Sequence, residues 1–317
     1  MERNMARHPD GLLAYQRGEA SGLVNQGWKD SHDSIFHADG RTPEGPIALV
    51  EVQGYAYAAF LAMAFIAEWR DDPGVARWRE RAEALREAVE RRFWLDGPQF
   101  YALAIDGLNQ PCRVRASNAG HLLFAGLPGG ERARAVGRQL LSPAFASGWG
   151  IRTLPNEAVR FNPMSYHNGS VWPHDVALCA AGMARYGERE GVVRILDNLF
   201  ASAAHFGMRL PELFCGFARQ PGDPPIAYPV ACLPQAWAAG SVFMLLQACL
   251  GLEVDGIRGQ VNIVRPQLPT DIDQLHLRHL RVGDARVDLH FQRLEGRVVA
   301  VAQSAPGAPK VQVNLQI

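Results

Sequence analysis

The chain has 317 residues, 48% of them hydrophobic, with 32 basic and 32 acidic side chains and no formal net charge. That length and apolar content suffice for a large core and exclude low-complexity disorder. Balanced charge without a basic run argues against nucleic acid or an anionic membrane as a partner. The five cysteines, Cys112, Cys179, Cys215, Cys232 and Cys249, are odd in number and scattered, so neither a disulfide framework nor a CxxC metal site is suggested. Reduced thiols in a cytoplasmic protein are the expectation. The opening segment is charged and lacks the apolar stretch of a signal peptide, and no run reads as apolar enough to span a bilayer.

In chain order, residues 10–17 read as a possible helical fragment. Residues 46–69 are apolar nearly all round, a buried helix with Pro46 suited to its start. Residues 75–94 alternate Arg and Glu with Trp78, Leu85, Val89 and Phe93 at helical spacing, an amphipathic helix with one solvated face. Further helices are expected at 117–125, 130–141, 173–186, 191–205 and 233–250. Between them lie two long Gly/Pro-rich loops, 143–166 and 207–230, of a length that is usually functional. After Gly251 the pattern turns to alternating apolar residues, as in Val287-Asp288-Leu289-His290-Phe291, which predicts an antiparallel β-module. The expected organisation is a mainly α domain over 1–250 and a β-module over 251–317.

Sequential helix pairs joined by long loops that carry aromatics and acids suggest an α/α toroid with its site on the loop-rich face. A helical solenoid is the alternative, but no repeat of fixed period is visible. A twelve-helix (α/α)6 toroid would be incomplete here, because only about seven helices are legible.

Two short segments carry the chemistry. Gly27-Trp28-Lys29-Asp30-Ser31-His32-Asp33 and Pro211-Glu212-Leu213-Phe214 each set an acid among aromatics. Aromatic faces stack on sugar rings, and a carboxyl beside them can give or take the proton when a glycosidic bond breaks. A loop or N-cap role is the ordinary one for an aspartate such as Asp30, and a Pro-Glu pair can simply open a helix.

Asn25-Gln26-Gly27-Trp28-Lys29-Asp30-Ser31, followed by Pro46-Ile47-Ala48-Leu49-Val50-Glu51-Val52-Gln53-Gly54-Tyr55, resembles the bacterial amylo-α-1,6-glucosidase (glycogen debranching) family. So do Tyr166-His167-Asn168-Gly169-Ser170-Val171-Trp172-Pro173-His174-Asp175, Pro211-Glu212-Leu213-Phe214 and Pro234-Gln235-Ala236-Trp237. The resemblance covers residues 20–250 and implies an (α/α)6 barrel of the inverting glycosidases, of which this chain would supply helices six to twelve. It further implies that Asp30 is the general acid and Glu212 the general base. On that basis the chain is an inverting hydrolase removing terminal glucosyl residues from an oligosaccharide or glucan, with no cofactor. Mannosyl, sucrose-like or glucosylglycerol compounds are the alternative substrates. A fragment that only binds carbohydrate, pairing with a second copy or with the N-terminal half of the same enzyme, is the alternative of a different kind.

Around that pair, Trp28, Lys29, Tyr55 and Gln235 are expected to line the sugar site. Lys29 could hold a sugar hydroxyl or a carboxylate, although a cation close to Asp30 would oppose an acid role. Asp33 is a rival acid, or a capping residue. Glu51 and Gln53 lie in an apolar helix, where they either line the pocket or pair internally. Tyr166, His167 and Asn168 could bind hydroxyls, with a helix cap from Asn168 and Ser170 as the structural reading. Trp172 is either a stacking platform or core. Arg152 is expected to face the site, and Glu157 is the fallback base. His167, His174 and Asp175 lack metal-ligand spacing, so no metal is expected.

Overall fold

The computed structural model describes residues 1–304 and 310–317. A single turn, α1 (Glu2–Met5), leads into extended chain, and Tyr15 pairs with Ile47 where the sequence suggested a helical fragment over 10–17. The helices that follow are α2 (Val50–Trp69), α3 (Val75–Arg92), α4 (Asn118–Ala125), α5 (Gly130–Leu140), α6 (Pro173–Arg185), α7 (Glu190–His205) and α8 (Ala236–Leu250). Helix α2 starts four residues later than Pro46 suggested, because Ala48–Leu49 forms a strand, β1, that pairs with β4 (Ala104–Ile105). Strand β4 in turn pairs with β5 (Pro111–Cys112), and β2 (Trp94–Leu95) pairs with β3 (Phe100–Tyr101). These two-residue strands are too short for a period-2 pattern to register in the sequence.

The helices pack in two layers. Helices α2, α4, α6 and α8 lie side by side in that order, while α3 backs α2, α5 backs α4 and α6, and α7 backs α6 and α8. Small or apolar faces allow this. Gly120 of α4 and Gly182 of α6 sit where a Cβ would overlap Cys179 Sγ and the Phe124 backbone, so the two inner helices approach backbone to backbone. Helix α3 turns Ala82, Leu85, Ala88 and Val89 inward and its Arg/Glu face outward, as its periodicity predicted. The core of this layer pair runs from Leu12 through Phe60, Phe93, Trp149 and Leu196 to Cys249.

Helix α2 also corrects the sequence reading in another respect: it does have the length and apolar composition of a membrane span. In the fold it packs against α3 and α4. Its remaining flank leaves Leu61, Met63, Ile66 and Trp69 exposed, and α8 leaves Trp237 and Phe243 exposed.

The C-terminal module holds β6 (Leu252–Asp255), β7 (Gln260–Val264), β8 (Gln274–Val282), β9 (Ala285–Leu294), β10 (Arg297–Gln303) and β11 (Gln312–Gln316). Strands β8, β9 and β10 form the expected antiparallel meander, but β11 pairs parallel to β7, so the second sheet is mixed. Leu252, Val261, Ile263, Val287, Leu289 and Phe291 form a separate core that Leu246 and Leu250 of α8 join to the helices.

Candidate active site

The four inner helices begin at the same face, and each brings polar or aromatic residues there in its first turn: Glu51, Asn118 and His121, His174 and Asp175, and Trp237. Helix N-termini carry partial positive charge, which favours the carboxylates of Glu51 and Asp175 at these positions. Over this face lie the loops that carry Trp28 to Asp33, Arg152 to Asn168, and Glu212.

Trp28 is the floor of the arrangement. It stacks on His121 at 5.9 Å and meets His167, Trp172 and His174 edge-on at 5.7, 5.6 and 4.9 Å. Gly27 before it admits no side chain, since a Cβ would overlap Leu49 Cδ1 and lie 3.2 Å from Glu51 Oε1. Beneath the ring runs a hydrogen-bond chain across three inner helices. Tyr55 bonds His121 Nδ1 at 2.5 Å, and His121 Nε2 bonds Asp175 Oδ1 at 2.7 Å. Burial raises the Tyr55 hydroxyl far above its usual range, so the phenol donates to Nδ1 and the Nε2–H donates to Asp175. Burial pushes the Asp175 carboxyl up, but the hydrogen bond from His121 and the charge of Lys29 outweigh it and hold Asp175 below its usual range. His121, Asp175 and Cys179 are the one close His/Cys/acid trio among the described residues, and both His121 nitrogens are already engaged. Burial raises Glu51 above its usual value, and among the described residues neither of its oxygens has a hydrogen-bond partner.

The segment that carries Asp30 is stitched to the 150–170 loop. Lys29 Nζ donates to Thr153 O at 3.1 Å, Ser31 Oγ and His167 Nδ1 share a 2.6 Å bond, and Asn168 Nδ2 donates to Asp33 O and Oδ2 at 3.1 Å. Asp30 itself is exposed, between the buried Lys29 and the half-buried Ser31. The same loop reaches Glu212 through backbone pairing of Val171 with Phe214. Gly169, at φ 140°, makes the turn between; a side chain there would lie 2.7 Å from Asn162 O.

Glu212 is 8% exposed, and both its oxygens are held: Tyr166 donates its hydroxyl to Oε1 at 2.7 Å, and the Cys232 amide donates to Oε2 at 3.2 Å. Burial raises the Tyr166 phenol above its usual range, with further contributions from the hydrogen bond and charge of Glu212 and the charge of Asp30. Tyr166 meets His167 and Trp172 edge-on, which puts the Glu212 carboxylate beside the aromatic cluster around Trp28. Trp237 completes it, stacked on His174 at 3.8 Å with only 3° between the planes.

Several expected site residues turn out to be scaffold. Gln53 is 0% exposed and spends its amide on Leu13 N, Leu13 O and Leu49 O, so it docks the N-terminal segment on α2 and lines no pocket. Arg152 is buried and donates to the carbonyls of Gly216, Pro143 and Ala144, clamping the two long loops together where a sugar ligand was expected. Gln235 accepts from Ala236 N and caps α8. Trp172 is core, its Nε1 donating to Tyr166 O and Ser170 Oγ. Asn168 and Asp33 hold each other, and Glu157 is paired with Arg115 on the surface. Conversely, His121, Asn118 and Trp237 stand at the same inner face, although the sequence pattern gave them no role there. The available signal was a polar residue in the first turn of an apolar helix.

Two layers of helices with an aromatic and polar cluster at the inner N-termini give the fold of the toroid-type glycoside hydrolases. The chain belongs to the mannosylglycerate hydrolase MGH1-like glycoside hydrolase domain family, whose model matches residues 6–210, a span that takes in Asp30 and ends just short of Glu212. No curated protein matches the chain. Among solved structures it is similar to the GH63 mannosylglycerate hydrolase of Thermus thermophilus in complex with glucose (TM-score 0.51, 19% identity, 63% of this chain and 47% of that one). It is also similar to a sialidase (0.68, 16%, 90% and 27%) and to the GH78 rhamnosidase of Bacillus sp. GL1 (0.62, 15%, 94% and 28%). The chain thus spans less than half the length of these structures. The glycosidase class read from the motifs stands, and the family that matches is the mannosylglycerate hydrolase type rather than the debranching type.

Proposed function

We propose that this chain carries the acid–base pair of an inverting glycoside hydrolase, with Asp30 as general acid and Glu212 as general base. The observation that carries this is Glu212, nearly buried and held by the Tyr166 hydroxyl and the Cys232 amide beside the aromatic cluster that also holds Trp28 of the Asp30 segment. Asp30 gives its proton to the glycosidic oxygen as that oxygen leaves the anomeric carbon. Glu212 takes a proton from a water whose oxygen bonds to the opposite face of the same carbon, so the anomeric configuration inverts. Two donors on Glu212 keep its oxygens aimed at that water. Trp28 and Trp237 supply apolar faces for the sugar ring.

The family match favours a small glycoside of a mannosyl or glucosyl unit as substrate. A glucan branch point, hydrolysed in amylo-α-1,6-glucosidase fashion, is the second reading, favoured by the Gly27–Ser31 and Pro211–Phe214 motifs. The exposed apolar flanks of α2 and α8 support a partner that covers them, either further helices of the same enzyme that complete the ring or a second copy.

Proton NMR of the reaction tests the assignment, with mannosylglycerate and a branched limit dextrin offered separately. The expected result is release of an inverted free sugar from the first, lost in both Asp30→Asn and Glu212→Gln. Retained configuration, or full turnover by either variant, would overturn the pair.

A further inference from the structure

We propose that Lys29 is the positioning residue of the general acid: its buried ammonium, tied to the Thr153 carbonyl, fixes the Trp28–Asp30 segment against the wall that carries Glu212. The inference rests on the reading of Asp30 as acid. All but two of the 32 basic residues in this chain are arginine, and the two lysines are Lys29 and Lys310. Lys310 is exposed, whereas Lys29 is 2% exposed. A chain that uses arginine almost throughout has placed its one buried lysine next to the proposed acid.

The tether has a destination. Thr153 N donates to Ser170 O at 3.0 Å, Thr153 Oγ1 accepts from Gly169 N at 2.8 Å, and Val171 N donates to Phe214 O at 2.9 Å. One hydrogen bond from Lys29 thus joins the Asp30 segment to the backbone ladder that ends two residues from Glu212. Lys29 Nζ also stands 5.0 Å over the Trp28 ring, so the ammonium braces the indole as well.

The charges around it set when the brace holds. Asp175 and Cys179 face it from α6 and Glu51 from α2, while His174 of α6 and His167 of the covering loop feel its charge. Burial lowers Lys29 to about 8, against the pull of Asp175, Glu51 and Cys179. Below that pH the ammonium donates to the Thr153 carbonyl in the field of Asp175; above it the charge is lost and the attraction to Asp175 goes with it. A guanidinium would stay charged throughout, so a lysine here makes the brace pH-dependent.

The test compares substrates that need an acid with substrates that do not. Fluoride leaves without protonation, so α-mannosyl and α-glucosyl fluorides bypass the acid, whereas the matching alkyl glycosides depend on it. In Lys29→Met, kcat on the alkyl glycosides should fall about 100-fold, KM should hold, and turnover of the fluorides should fall no more than about fivefold. Equal loss on both substrates would make Lys29 a general structural residue and overturn the proposal. Asp30→Asn run in parallel isolates the underlying reading: if that variant loses equally on both, the acid assignment itself fails. A second measurement needs no variant. With 15N-labelled lysine the wild-type chain gives two side-chain signals, and the Lys29 signal should titrate near pH 8, apart from that of Lys310. Titration together with the exposed Lys310 would show a solvated amine and overturn the brace.

Discussion

Tyr166 and Glu212, 46 residues apart in sequence, are joined by a 2.7 Å hydrogen bond in which the phenol donates to the carboxylate. The bond orients the proposed base, and Tyr166 is itself fixed by edge-on contact with Trp172 at 4.9 Å.

Tyr166→Phe keeps that packing and removes only the donor. A hydrogen bond to a charged group is worth about 1.5–3 kcal/mol. Expressed in the transition state, that predicts a fall in kcat of about 10- to 100-fold with little change in thermal midpoint. Steady-state kinetics beside a melting curve checks it, and an unchanged kcat would show that the bond does not aim the base.

Gln53→Ala should show the opposite pattern. The substitution leaves Leu13 N and O without their buried partner, which costs about 1–3 kcal/mol for each group left unpaired. Urea unfolding should register the loss while KM stays at the wild-type value. A raised KM at full stability would return Gln53 to the sugar site.

Two histidines predict the acid sensitivity of the fold. Burial, with the charges of Lys29 and His174, lowers His167 to about 3, and burial lowers His174 to about 4. Unfolded histidines bind protons near pH 6.5, so below that pH the unfolded state takes up protons that the folded state refuses. Stability is therefore unaffected well above pH 6.5 and falls as pH drops towards 4 and 3. Each histidine contributes up to about 1.4 kcal/mol per pH unit within its window. Urea midpoints between pH 7 and 4 should show this slope, and His174→Gln should reduce it.

The exposed apolar flanks predict association. Ile66 and Trp69 on α2 and Phe243 on α8, the last 75% exposed, leave an apolar flank open at each end of the inner helix row. Sedimentation of the chain alone should show a concentration-dependent oligomer that Ile66→Lys with Phe243→Glu disperses. A wild-type chain monomeric at every concentration would mean that the flanks need no cover.

Local pattern was enough for the helices, because a 3.6-residue period over a dozen residues or more is set by which face meets the core. It also singled out the two acid segments as candidates, since Trp28-Lys29-Asp30 and Pro211-Glu212-Leu213-Phe214 place carboxyls among aromatics within a few residues. The short strands around Ala48 and Ala104 escaped it, since two residues carry no period, and so did the parallel pairing of β11 with β7, which links residues about 50 apart. Tertiary structure alone decided which polar residues meet in the site. Gln53 and Arg152 have the side chains of sugar ligands, but their nearest partners are backbone carbonyls and amides brought there by folding. His121 lies in an ordinary apolar helix, and becomes the support of Trp28 because α2, α4 and α6 begin at one face. A side chain's role follows from what its polar atoms can reach, and reach across 40 to 140 residues of chain is a property of the packed helices.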